Sequence, residues 1–216
     1  MADTRQKLIV GAMETIRTHG IAGVSARTVA ASAGVNQALV FYHFGSVDDL
    51  LSEAFLSATR ARVERYRERL AAVATVRDLL DVGRRLHEEE RALGNVTVLA
   101  QLLAGAQSDA KLAGSTAEAL GLWVAEIEAV LVRVLAGTPL ADLADSAGLA
   151  AAVSAAFIGL ELFEGVDPVG AHAALTSLEQ LAVLVEVMED LGPVTRRALR
   201  AKLRPPAARS PRRSRA

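Results

Sequence analysis

Eight residues, Asn36 to His43, hold two amides, a phenol and an imidazole, in a chain where aromatic residues make up only 4%. Amides can bond the edges of nucleic-acid bases, small or apolar side chains can touch a thymine methyl, and Tyr and His can donate to phosphate oxygens. On a helix starting near Asn36, Val40 and Phe44 fall four apart on one face and serve as core anchors. Asn36, Gln37, Ala38, Leu39, Tyr42 and His43 are then offered outward, as a surface that could read a major groove. Spacing alone leaves a second reading open, a short helix in an all-α domain whose rings are ordinary core.

The flanking elements must position that segment. In "RQKLIVGAMETIRTHG" the apolar Leu8, Ile9, Ala12, Met13 and Ile16 recur at helical spacing and Gly20 follows as a stop, which predicts an amphipathic helix over about 3–19. His19 falls in its last turn, where the helix dipole favours a cationic side chain. Ser25 is a good N-cap, Val24 and Val29 stand at the two positions of a hydrophobic staple, and Gly34 can close the short helix between. Asn36 can cap the next short helix, and Gly45-Ser46 end it and cap a fourth beginning "VDDLLSEAF". Two short capped helices around a Gly turn, with an amphipathic helix before and a long one after, have the layout of a helix-turn-helix.

Composition narrows the chemistry. At 216 residues and 51% hydrophobic the chain can bury a substantial core. No run reaches the eighteen or more uncharged apolar residues of a membrane span, and "MADTRQKL" lacks the layout of a signal peptide, so a cytoplasmic protein without membrane contact is expected. Zero cysteines exclude disulfides and thiolate chemistry. Histidines at 19, 43, 87 and 172 show no metal-ligand spacing, so neither a metal nor a cofactor is expected. Charge is partitioned: +2 over 1–45, −12 over 46–195 and +9 over 196–216. A nucleic acid must therefore meet one of the ends. The stretch "RPPAARSPRRSRA" has little to bury and reads as a disordered basic tail.

Residues 23–55, "GVSARTVAASAGVNQALVFYHFGSVDDLLSEAF", resemble the DNA-binding signature of the TetR family of transcriptional regulators. The resemblance lies in a small capping residue, a helix with Ala near its middle, "AGV", a short helix ending in aromatic-His-Phe, and a capped helix opening on acids and Leu-Leu. It covers about the first quarter of the chain. It implies that Ser25 and Arg27 contact phosphate, that Asn36, Gln37, Ala38 and Leu39 face bases, and that Tyr42 and His43 grip the backbone. Two departures stand out. Phe41 occupies a place where the family often has Tyr, and Val47 one where it often has Lys, so a hydroxyl and a charged phosphate contact are missing. The free N–H groups of the helix beyond Ser46 could still hold a phosphate.

The remaining chain reads as helix throughout, over about 46–72, 76–92, 95–106, 109–136, 142–164, 169–191 and 193–203. The expected fold is all-α: a helix-turn-helix domain over 1–45, a ligand-binding and dimerising helical bundle over 46–204, and the tail over 205–216. "AGLAAAVSAAFIGLELFEG" and "LEQLAVLVEVMEDLG" carry more apolar or small surface than one face needs, which marks them for a four-helix homodimer interface. Gln101, Gln107, Trp123, Phe157 and Glu161 suit a pocket that is mostly apolar with a few polar groups; each also has an ordinary structural reading. "LHEEERAL", with His87, reads as a solvated acidic face. The Glu pairs at 126/128 and 161/164 come with no nucleophile, phosphate loop or cofactor fingerprint, so an enzyme is not expected. The resulting expectation is a regulator that binds a double-stranded DNA operator as a dimer and answers to a small-molecule effector. The alternative is a helical dimer that binds a small molecule or protein without specific DNA binding.

Overall fold

The computed structural model describes residues 2–136, 138, 141, 145–189, 195 and 198. Among them nine α-helices and one 3-10 turn follow one another, with no strand. The tail over 205–216, and all but two positions of the helix expected over 193–203, lie outside the described residues.

The first helix, α1 (Ala2–His19), buries the predicted row Leu8, Ile9, Ala12, Met13 and Ile16. A 3-10 turn at Ile21–Gly23 leads to α2 (Ala26–Ala33). Ser25 caps α2 by accepting from Thr28 N–H at 3.2 Å, and Thr28 Oγ1 accepts in return from Ser25 N–H at 2.8 Å. Val29 is fully buried and Val24 packs beside it, as the staple positions require. Gly34 ends α2 at φ 66°, a left-handed turn that carries Val35 N–H back to Ala30 O at 3.0 Å. α1 and α2 cross closely at Gly11, where a Cβ would come within 3.0 Å of Ala33 Cβ.

The third helix, α3 (Ala38–Phe44), starts later than expected. Asn36 still serves its first turn, accepting from Ala38 N–H at 2.9 Å, but it does so from a turn and Gln37 occupies the cap position. Ser46 then caps α4 (Val47–Ala71), accepting from Asp49 N–H at 3.0 Å. The residues of α4 enter two cores in succession. Leu50, Leu51, Ala54 and Phe55 join α1, Val29 and Val40 in a first core completed by Val98, Leu102, Leu112 and Ala119. Tyr66 and Leu70 belong to a second, with Leu79, Val130, Leu131, Val134 and Ala150.

The helices α5 (Val76–Ala92) and α6 (Asn95–Ala106) have the expected limits. Thr75 and Asp78 cap α5 reciprocally. α7 (Ala110–Val134) lies along α4 in parallel register, pinned by Asp49–Lys111, Arg60–Glu118 and Arg67–Glu126. Arg133 closes that pairing by donating to Leu70 O at 2.8 Å and Val73 O at 3.2 Å. α8 (Ser146–Glu164) begins four residues later than expected, because Asp145 caps it by accepting from Gly148 N–H. α9 (Pro168–Glu189) starts on a proline, which the first helical position tolerates. By length and composition alone α8 is apolar enough to cross a membrane. Its acids Glu161 and Glu164 are what hid that from the count of uncharged residues. Both bond to His87 of α5, and the helix packs on α7 and α9.

Candidate nucleic-acid interface

The helix α3 stands on Val40, which is fully buried, and on Phe44, which is half-buried with the Arg5 guanidinium 5.2 Å from its ring centre. Arg5 is in turn paired with Glu53 of α4, so the outer end of α3 is braced by α1 and α4 together. This leaves Asn36, Gln37, Ala38, Phe41 and Tyr42 exposed, with Tyr42 71% accessible. His43 is half-buried and meets Tyr42 edge-on, ring centres 4.9 Å apart. Ser25 and Arg27 are exposed at the start of α2, so the two ends of the module present side chains to solvent as expected.

One expected member is displaced and one unexpected member is added. Leu39 is half-buried and packs against the first core, because it stands on the row next to the fully buried Val40. Phe41, which the four-residue rows left unassigned, is 54% exposed. The first turn of α4 also carries Asp48 and Asp49. Their charge already meets the positive helix end at which a phosphate was expected.

Of the expected pocket residues, two have other work. Gln101 Oε1 accepts from Ile21 N–H at 2.7 Å and so ties α6 to the turn before α2. Gln107 is exposed at the C-terminal end of α6, its amide 3.4 Å from Leu103 O. Trp123 packs on the second core with its ring 6.0 Å from that of Tyr66. Phe157 and Glu161 do come together, around a residue read from sequence as solvated. His87 Nδ1 lies 3.1 Å from Glu161 Oε1, its Nε2 faces Glu164, and its ring meets Phe157 edge-on. Burial pushes the Glu161 carboxyl above the ordinary carboxylate range, and the His87 contact partly offsets this.

The acidic face expected in "LHEEERAL" is likewise overturned. Glu90 is buried, paired with Arg62 at 3.2 Å and receiving Asn95 Nδ2 at 2.8 Å. Tyr66 Oη shares its proton between Glu89, at 2.9 Å, and Glu90, at 3.1 Å. These acceptors and burial raise the Tyr66 pKa well above its usual value, burial being the larger cause. The signal was present in the sequence: Leu79, Leu86 and Glu90 share one row of α5 at spacings of seven and four. Among the described residues no cluster of His and acids has the arrangement of a metal site.

A short capped helix, a glycine turn and a second short helix with exposed amides and rings, seated on a helical bundle, define a helix-turn-helix DNA-binding regulator. The sequence pattern of the bacterial regulatory proteins of the tetR family matches residues 8–54. An HTH-type transcriptional regulator of Mycobacterium tuberculosis is 25% identical over 166 residues, covering 77% of this chain and 85% of its own. A Rhodococcus sp. chain described as a TetR-family transcriptional regulator superposes with a TM-score of 0.70 at 24% identity, over 86% of this chain and 99% of its own. The regulator FadR of Bacillus subtilis, solved in complex with stearoyl-CoA, does so with a TM-score of 0.65 at 18% identity, over 82% and 97%. Residues 8–54 thus match the DNA-binding module of the tetR family of bacterial regulatory proteins, and the chain as a whole shares its fold with a TetR-family regulator.

Proposed function

We propose that the chain binds a palindromic operator as a homodimer joined through α8 and α9, and acts as a repressor released by a small apolar or amphipathic effector. The observation that carries this reading is the uncovered apolar surface at the junction of these helices. Leu162, Phe163, Val166 and Val169 are all exposed, with Val166 86% accessible. An apolar patch of this kind favours a partner, and a two-fold partner sets two copies of α3 into successive major grooves, about 34–36 Å apart. Within each copy, Ser25, Arg27, Tyr42 and His43 take the phosphate contacts and Asn36, Gln37 and Ala38 the base edges.

The effector side rests on Phe157 and Glu161, which meet at His87 within the bundle, and on the acyl-CoA held by the Bacillus subtilis neighbour. The long helix α4 is the lever, because it follows the recognition helix at Ser46 and runs on to Tyr66 in the second core. An effector shifts the dimer only by its preference for the spacing that cannot hold DNA, so effector and operator oppose each other reciprocally.

The test has two parts. Selection of DNA sequences with the purified chain should enrich a palindrome, and Phe163→Glu should yield a monomer in sedimentation with steeply reduced operator affinity. A chain that enriches no sequence is the small-molecule or protein-binding dimer of the alternative reading. Ligands followed by Trp123 fluorescence should bind more weakly when operator is present; equal binding would discard the spacing mechanism.

A further inference from the structure

We propose that Phe41 is a base-reading residue whose ring packs against the 5-methyl group of one thymine in each operator half-site. The inference rests on the DNA-binding reading above and deepens it. The ring is 54% exposed on a seven-residue helix that carries no Lys, Arg, Asp or Glu. Among the described residues it enters no aromatic contact, whereas Tyr42 meets His43 and His43 meets Phe44. It stands three residues from Ala38 and four from Gln37, both exposed, and therefore shares their ridge.

A phenyl ring has neither donor nor acceptor, so it cannot anchor a phosphate as Tyr42 or His43 can. An exposed ring on a groove-facing ridge gains only from an apolar partner, and on the base edges of the major groove that partner is the thymine methyl. One helical turn advances about 5.4 Å, and base pairs are stacked about 3.4 Å apart. The thymine is thus one or two base pairs from the base met by Gln37. The packing of half-buried Leu39 against the first core agrees with this, since it leaves Phe41 as the large exposed hydrocarbon side chain of α3.

The experiment uses the full chain and an operator obtained by selection. Deoxyuridine replaces thymidine at one position of a half-site at a time, and affinity is measured for the wild type, Phe41→Ala and Phe41→Tyr. One replacement should weaken the wild type about fourfold, the effect of uncovering a single methyl group. The same replacement should be silent in Phe41→Ala and retained in Phe41→Tyr, which keeps the ring. Phe41→Ala weakening every operator alike, with each deoxyuridine change costing it as much as the wild type, would place the ring against the sugar-phosphate wall and overturn the proposal. A chain that selects no operator would remove the DNA reading itself, a result distinct from selection without methyl coupling.

Discussion

The two cores joined by α4 are built from different materials. The first, under the recognition helix, is closed by aliphatic side chains and Phe55, and the hydrogen bonds of Ser25 and Thr28 sit at its rim. The second places Tyr66 at its centre and runs Arg62, Glu89, Glu90 and Asn95 around the phenol. An apolar core has no directional partners to exchange and holds its helices as a fixed platform, as a surface presented to DNA requires. A buried polar network has a small number of satisfied arrangements, and a change at one member is felt by the others.

The largest expected effect comes from opening that network. Arg62→Met leaves Glu90 buried without its cation and should cost about 3 kcal/mol, at the low end for a broken buried pair because Tyr66 and Asn95 still donate to it. The double change Arg62→Met with Glu90→Met should recover most of the loss in denaturant unfolding. A double variant as unstable as the single one would mean that the second core depends on the packing of these side chains rather than on their charges, and the contrast between the cores would fail.

At the rim of the first core the effect is smaller. Ser25→Ala removes the cap of α2 and should cost about 1 kcal/mol, whereas Ser25→Gly should cost a few tenths. Thermal unfolding distinguishes the two. Equal losses would show that the side chain acts through packing and not through the bond to Thr28 N–H.

The smallest effect at any one pH, but the one with a characteristic slope, belongs to Glu161. Burial raises its carboxyl pKa, so the folded protein holds the proton more tightly than the unfolded chain. The stability this provides is complete below the ordinary carboxylate range and is lost as pH rises through the raised value. The wild type should therefore lose stability relative to Glu161→Gln as pH rises across that window. A stability difference that stays flat across it would show that the His87 contact cancels burial.

The same contrast governs what the sequence made legible. The helices of the first core announce themselves through caps, Gly stops and the apolar row from Leu8 to Ile16, because local chemistry and tertiary packing agree there. α5 and α6 could be bounded to the residue for the same reason. Base-facing membership was harder: Leu39 and Phe41 flank the buried Val40 on either side, and spacing alone did not say which of the two the core would take. The second core was misread because a run of three Glu looks solvated until the apolar row of α5 is followed through Leu86 to Glu90. Gln101 could not have been placed from sequence, since its partner is a backbone N–H eighty residues away.

That bond, from Ile21 N–H to Gln101 Oε1, has a consequence for observation. The amide lies in a single 3-10 turn, where proton exchange with water is fast unless something covers the donor. Here the cover comes from α6, whose Val98 and Leu102 also seal the first core. One backbone proton therefore keeps time for the seam between the DNA-facing module and the bundle: it exchanges slowly while α6 is seated and quickly once it lifts, so a deuterium label on Ile21 reads the docking of the two halves without a probe being attached to either.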